Sequence, residues 1–239
     1  WGLRWIGDDT TPDVQKQLEA IVFADKDSKE SFLRDTLEPY LANGAEHISG
    51  LYRLAHSNDF SDVAGKLSIE WLTRFPKLSR ESLEYLIKAA IRYAPHDQLI
   101  SIVRERIDSK AWENEEQRNL WISAAFLLDY THYTEMLSAY ADESPTHLWS
   151  IRAMAILDRD MKDGYWPQLT PEQNHFLIRK FGVAWPPASH PSSGWCGDTN
   201  PWDASQFIAA RINARAADVS EEAAGLLKGL VNRPELAGY

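Results

Sequence analysis

Helix starts recur along this chain at a nearly constant interval, and no other feature narrows the fold as far. Thr11-Pro12-Asp13 sets a capping hydroxyl before a proline suited to a first helical position, and Val14, Leu18, Ile21 and Val22 follow at helical spacing. Ser28 precedes a stripe of Phe32, Leu33, Leu37, Tyr40 and Leu41, in which Pro39 is expected to kink or shorten the helix before Gly44. A third stripe from Ala45 carries Ile48, Leu51, Tyr52, Leu54 and Ala55. A fourth from Ser61 carries Val63, Leu67, Trp71 and Leu72, until Pro76 stops it. Further starts lie at Ser79, Pro95, near Trp112 and at Thr131, so successive starts are about 16 to 19 residues apart and helix pairs about 34.

An amphipathic helix pair with apolar residues on two sides cannot bury both by itself, so such pairs stack against their neighbours. No segment shows the β-branched alternation of a sheet. The spacing therefore predicts an all-α fold: an irregular α-solenoid of antiparallel helix hairpins, TPR- or HEAT-like in kind, with about twelve helices. It is irregular because no Trp-Leu-Gly-Tyr or Thr-Pro-Leu-His signature recurs from pair to pair.

The rhythm continues through Ser144-Pro145 and breaks after Arg159. Thr170-Pro171-Glu172-Gln173 reads as a capping box before His175, Phe176, Leu177 and Phe181, with Gly182 closing the helix. Residues 183–199 follow, rich in Trp, Pro, Gly and Ser and long for a connection within a compact fold. Asn200-Pro201 and Ser220-Glu221-Glu222 then start two last helices. The expected organisation is a helical array over 1–182, a loop over 183–199 and a C-terminal hairpin over 200–239 packed on the same array.

Composition excludes several function classes. The chain has 239 residues, with 25 Lys and Arg against 35 Asp and Glu and a net charge of -10, which argues against a nucleic-acid groove. The one cysteine, Cys196, cannot form an internal disulfide and points to a reducing, cytoplasmic setting. The longest uncharged apolar run, Trp121 to Leu128, is too short to cross a bilayer, so no membrane partner is expected.

Catalytic and metal motifs are weak. Gly65-Lys66 lacks the Ser or Thr and the first glycine of a phosphate loop and falls within a helical stripe. Asp158 to Gly164 has calcium-type carboxylates, but its glycine is one place late and Lys162 occupies a ligand position. His132 and Glu135 are one turn apart, as ligands could be, yet they fit a surface pair. Glu115-Glu116 and Glu221-Glu222 fit helix first turns better than acid-base catalysis. No cofactor or metal is expected. The residue set open to loop chemistry is His190, Cys196, Asp198 and Asp203, which would serve a standalone helical enzyme or metal-binding protein.

Trp71, Trp121 and Trp149 fall on apolar helical stripes and belong in the core. Trp166, Trp185, Trp195 and Trp202 surround the irregular region. Either they pin the loop to the fold or some of them stay exposed as anchors for a protein partner.

The run from Gly194 to Tyr239 carries Gly-Trp-Cys-Gly-Asp-Thr-Asn-Pro-Trp-Asp-Ala-Ser-Gln-Phe-Ile, then Ala-Ala-Asp-Val-Ser-Glu-Glu-Ala and Pro-Glu-Leu-Ala-Gly-Tyr. It resembles a segment in the helical-repeat region of large bacterial NACHT-type NTPases of the STAND class. The resemblance implies a sensor or repeat region following an NTPase that lies outside this chain, in proteins of which several act in antiphage defence. A start at Trp1 without Met fits that expectation. The expected function is a noncatalytic protein-binding module, with catalysis, if any, in other domains. A spacer scaffold that binds nothing is the remaining alternative.

Overall fold

The computed structural model describes Gln17, Ala20 and residues 23–155, 167–186, 200–216, 224–225, 228–230 and 233. Among them the protein is all-helical, with ten α-helices, one short 3-10 helix and no strand. Packed neighbouring helices make this a helical-repeat fold, as the spacing of starts predicts. No helix among the described residues is long and apolar enough to cross a membrane. The chain divides into two compact units, Trp1–Trp121 with Met161–Trp166, and Ile122–Asp160 with Pro167–Tyr239.

In the first unit the helices are α1 (Lys26–Ala42), α2 (Leu51–His56), α3 (Ser61–Arg74), α4 (Arg80–Tyr93), α5 (His96–Asp108) and the start of α6 (Glu115–Leu128), with the 3-10 helix Asn58–Phe60 before α3. Sequence neighbours pack as α2 on α3, α3 on α4 and α4 on α5, and helices two apart pack as α1 on α3, α2 on α4 and α3 on α5. Leu33, Leu37 and Leu41 of α1, Leu67, Trp71 and Leu72 of α3, and Leu83, Leu86 and Ile87 of α4 are buried between them. Each such side chain contributes about 1.5–3 kcal/mol on leaving water.

Polar contacts between hairpins carry the sequence period directly. Trp71 Nε1 donates to Glu38 across 33 positions at 3.0 Å, Arg106 donates to the Leu72 carbonyl across 34 at 3.0 Å, and Arg34 meets Glu70 across 36 at 2.6 Å. An interval of about 34 residues is the offset between a helix and its equivalent in the next hairpin.

Several boundaries differ from the sequence expectation. Asp25 caps α1 rather than Ser28, its carboxylate accepting from the Ser28 N–H at 2.8 Å, so the helix starts earlier. Pro39 neither shortens nor ends α1, which continues to Ala42, because so near the C-terminus the ring removes only a last-turn ladder bond. The stripe from Ala45 is helical only from Leu51, since Gly44 at φ 62° and Gly50 at φ 109° place left-handed turns on both sides of Ile48.

At Gly44 the N–H groups of Gly44 and Ala45 donate to Leu41 and Tyr40 carbonyls, both at 3.1 Å, which closes α1 in a Schellman motif. A Cβ there would lie 2.8 Å from the Lys77 carbonyl oxygen. The same closure ends α5, where Lys110 at φ 51° holds the left-handed position.

The second unit contains the end of α6, then α7 (Tyr130–Glu143), α8 (Pro145–Ala155), α9 (Pro171–Ala184) and α10 (Pro201–Ala216). Here α7 packs on α8, α8 on α9 and α9 on α10. The capping box of α9 is present, Thr170 Oγ1 accepting from Gln173 N–H and Gln173 Oε1 from Thr170 N–H. Gln173 is buried, and its amide also donates to the Phe126 carbonyl 47 positions back. Lys180 reaches Asp142 across 38 positions, so the interval lengthens in this unit. Gly182 does not close α9; it is buried inside a helix that runs on through Val183 to Ala184.

Gly65, the glycine of the spurious phosphate loop, has a structural reason. It is buried in α3, and a Cβ built on it would lie 2.2 Å from the Tyr93 carbonyl oxygen and 2.6 Å from its carbon at the end of α4. Gly65→Ala is expected to lower unfolding free energy by about 1–3 kcal/mol or more through overpacking against backbone, read from urea denaturation. An unchanged midpoint would show that α3 and α4 do not approach so closely.

A second expectation comes from the α1–α3 ladder. The hydrogen bonds from Lys66 and then Arg34 hold Glu30 below the usual carboxylate range, and Arg34 does the same for Glu70. At Glu38 burial pushes upward, but the bonds from Trp71 and Arg34 outweigh it. Depressed carboxylates add stability above their unfolded value of 4.5 and lose it as pH falls through the lower folded value. Urea midpoints should therefore hold between pH 7 and about pH 5.5 and fall below pH 4.5, with a smaller fall in Glu38→Gln. An equal fall in both proteins would take the ladder out of the acid response.

Candidate functional site

Two of the aromatic assemblies among the described residues, one in each unit, bear on a candidate site. In the first unit, α2 turns Leu51, Leu54 and Ala55 inward, which leaves Tyr52 and His56 on the opposite side of the helix, one turn apart. Their rings stack at 4.2 Å with planes 8° apart. Tyr85 on α4 stands perpendicular to both, at 5.8 Å from Tyr52 and 5.9 Å from His56. Tyr52 and Tyr85 are 33 positions apart on the second helices of successive hairpins. Tyr52 is 54% exposed.

The neighbouring backbone holds α2 in place. Arg92, buried on α4, donates to the His56 carbonyl at 2.9 Å, the Ala55 carbonyl at 3.3 Å and Asn58 Oδ1 at 2.9 Å. It thereby satisfies the open carbonyl end of a helix six residues long. Tyr93 Oη adds a bond to the Ser57 carbonyl at 3.0 Å. Burial, then the carboxylates of Glu81 and Glu84, push the Tyr85 phenol upward, so it stays a neutral donor at physiological pH. Glu81 pairs with His47 Nδ1 at 2.9 Å and Glu84 with Lys88 at 2.7 Å.

In the second unit Trp149 of α8, Phe181 of α9 and Phe207 of α10 form one cluster with Trp185, the C-cap residue of α9. Trp149 lies 5.0 Å from Phe181 and 5.2 Å from Trp185, and Phe181 lies 4.8 Å from Phe207. Arg152, one turn after Trp149 on α8, sits over the Trp149 ring at 5.2 Å and the Phe207 ring at 5.5 Å. Arg211 lies over Phe207 at 5.8 Å.

The sequence-predicted residues separate accordingly. Trp185 is half-buried and packed on its own unit. Trp202, in the first turn of α10, is 56% exposed. Trp166, Trp195, His190, Cys196 and Asp198 lie outside the described residues, as does the calcium-like stretch Asp158–Gly164. Asp203 is placed: its carboxylate accepts from Asn200 Nδ2 at 3.0 Å, while Asn200 Oδ1 accepts from the Trp202 and Asp203 N–H groups at 2.8 and 3.0 Å. That is an N-terminal helix cap. Trp71, Trp121 and Trp149 are buried, as their stripes predict.

Ser57 Oγ donates to Asp59 at 2.7 Å and Ser28 Oγ to Asp25 at 3.0 Å, both within turns that start helices. A recess beside Leu72, Phe75 and Trp121 has Arg106 and Gln117 as its polar lining. Both already donate to backbone carbonyls, Arg106 to Leu72 and Gln117 to Leu78. Among the described residues no three His, Cys, Asp or Glu side chains converge as metal ligands. Compared with known proteins, the chain matches no family model, no curated sequence and no solved structure.

Sequence reasoning placed Tyr52 within an apolar stripe, whereas the structure turns it outward. Leu51 and Leu54 already complete the inward face of so short a helix, and Tyr52 is about 100° from Leu51. The recurrence of Tyr at 52 and 85, close to one repeat, was the available signal. Arg152 had none, since Phe207, the ring that completes its setting beside Trp149 of the same helix, is brought to it by α10.

The two described tryptophans of the candidate set should differ in cost. Trp185→Ala is expected to destabilise by about 1–3 kcal/mol as it opens the ring cluster, and Trp202→Ala by no more than about 0.5 kcal/mol, read from urea denaturation. Equal losses would mean that both rings are packed.

Proposed function

We propose that this chain is a noncatalytic, protein-binding helical-repeat module. The observation that carries the reading is the pair of Tyr rings at 52 and 85, in edge contact across successive hairpins, with His56 stacked on Tyr52 and Tyr52 open to solvent. Tyrosine supplies large contact area with few rotatable bonds, and rigid aromatic residues dominate protein interfaces energetically. Trp202 offers the same kind of surface on α10. A partner protein fits a chain of net charge -10 better than a nucleic acid does, because a phosphate backbone is bound through clustered cations. The wider setting in this proposal is a cytoplasmic sensor region of a NACHT-type NTPase, for which the support is the resemblance of residues 194–239.

Photoreactive benzoylphenylalanine placed singly at positions 52, 85 and 202 tests the reading in an extract of the source cells. Positions 35 and 73, exposed and outside the ring assemblies, are the controls. Cross-linking at positions 52 and 85 should yield the same discrete protein adduct, absent from the controls, and Tyr85→Ala should reduce that adduct at position 52; position 202 reports separately on the second unit. No site-specific protein adduct at any of the three positions would sink the proposal.

A further inference from the structure

Seven of the described arginines have oxygen acceptors. Arg34, Arg53, Arg74, Arg80 and Arg118 face carboxylates, and Arg92 and Arg106 donate to backbone carbonyls. Arg152 differs. Its contacts are two aromatic rings, Trp149 at 5.2 Å and Phe207 at 5.5 Å, and among the described residues no carboxylate or carbonyl accepts from it. Its Nε is buried without a hydrogen-bond partner, while the residue as a whole is partly exposed.

This geometry is that of a held, half-satisfied cation. Guanidinium is weakly hydrated and lies comfortably over ring faces, so two rings can keep it in place without a counter-ion. Fixing it there removes rotamer freedom before any ligand arrives, and the Nη edge of a guanidinium matches a carboxylate with two parallel N–H donors. Arg211 lies over the same Phe207 ring at 5.8 Å.

We propose that Arg152 is the anchor for a carboxylate side chain, an Asp or Glu, of the partner protein. In this role Arg152 presupposes the protein-binding reading and adds the chemistry that the partner must present. The rings of Trp149 and Phe207 are positioning groups that aim the guanidinium.

The full chain is titrated with the peptide acetyl-Gly-Asp-Glu-Asp-Gly-amide, followed by calorimetry and by fluorescence of the Trp149 cluster. The peptide with Asn and Gln in place of the acids is the control, alongside a version with phosphoserine as its one charged residue. The acidic peptide should bind the native chain at least about tenfold more tightly than the amide peptide, and Arg152→Gln should lose that preference. Arg152→Lys keeps the charge and stem without the fork, and should retain an intermediate preference; it also supplies the comparison if Arg152→Gln fails to fold.

Equal binding of acidic and amide peptides, undiminished binding by the variants, or no binding up to about 10 mM, weaker than any useful anchor, would overturn the assignment. So would a tenfold preference for phosphoserine over the acids. The cross-linking at positions 52, 85 and 202 separates the two ideas. A partner adduct that survives in Arg152→Gln would retire the carboxylate anchor alone, and no adduct at all would retire both.

Discussion

The constraint on which the structure rests is that a helix with apolar residues on two sides must be covered twice. In the first unit α3 meets its sequence neighbour α4 and also α1 and α5, the next but one in each direction, and α2 likewise meets both α3 and α4. Magnitudes assign the roles. A buried leucine contributes about 1.5–3 kcal/mol, whereas a solvent-exposed ion pair contributes roughly 0.2–1 kcal/mol. Burial of Leu37, Leu67, Trp71 and Leu86 therefore holds the hairpins together, and the Arg34 ladder adds little to that sum.

What the polar contacts supply is register. Apolar surfaces slide at low cost, but the Trp71 indole N–H has its acceptor only where Glu38 lies, and Gln117 finds the Leu78 carbonyl only in one alignment. Leaving such a buried donor unpaired costs about 1–3 kcal/mol, enough to fix a slip of a single turn. Helix starts take part in this. Ser79 caps α4 and also donates to the Glu46 carbonyl, and Gln173 completes the α9 capping box while reaching Phe126 in the preceding turn of structure. A residue that ends one hydrogen-bond ladder thus also positions the next hairpin. Arg92 does so most directly, because the carbonyls it satisfies belong to α2, the helix that carries Tyr52 and His56.

Much of the fold is legible in the residues because helix caps and apolar stripes are local signals. Thr170 with Gln173, Ser144-Pro145 and Asn200-Pro201 all start helices where they read as doing so. Errors arise where backbone conformation outweighs side-chain spacing. Ile48 has the spacing of a helix residue and is buried, yet it lies between two left-handed glycines. Pro39 carries a strong breaking signal whose effect depends on how close the helix end is. The candidate surfaces were less legible. Trp185 and Trp202 look alike in sequence, both aromatic residues flanking a long loop, and only the ring contacts of Trp185 with Trp149 and Phe181 tell them apart.

The sequence by itself determined that this chain is all-helical and built of stacked hairpins, because an interval of about 34 residues between equivalent helices is enough to specify which faces must meet. It also determined which tryptophans of the regular stripes are core. Only the tertiary structure decided which aromatic residues remain outside, and that two rings rather than an oxygen acceptor hold Arg152. The physical reason is the same in both cases. Exposure and pairing are properties of contacts between helices distant in sequence, such as α2 with α4 and α8 with α10, and no local periodicity encodes the side of a helix that its neighbours leave uncovered.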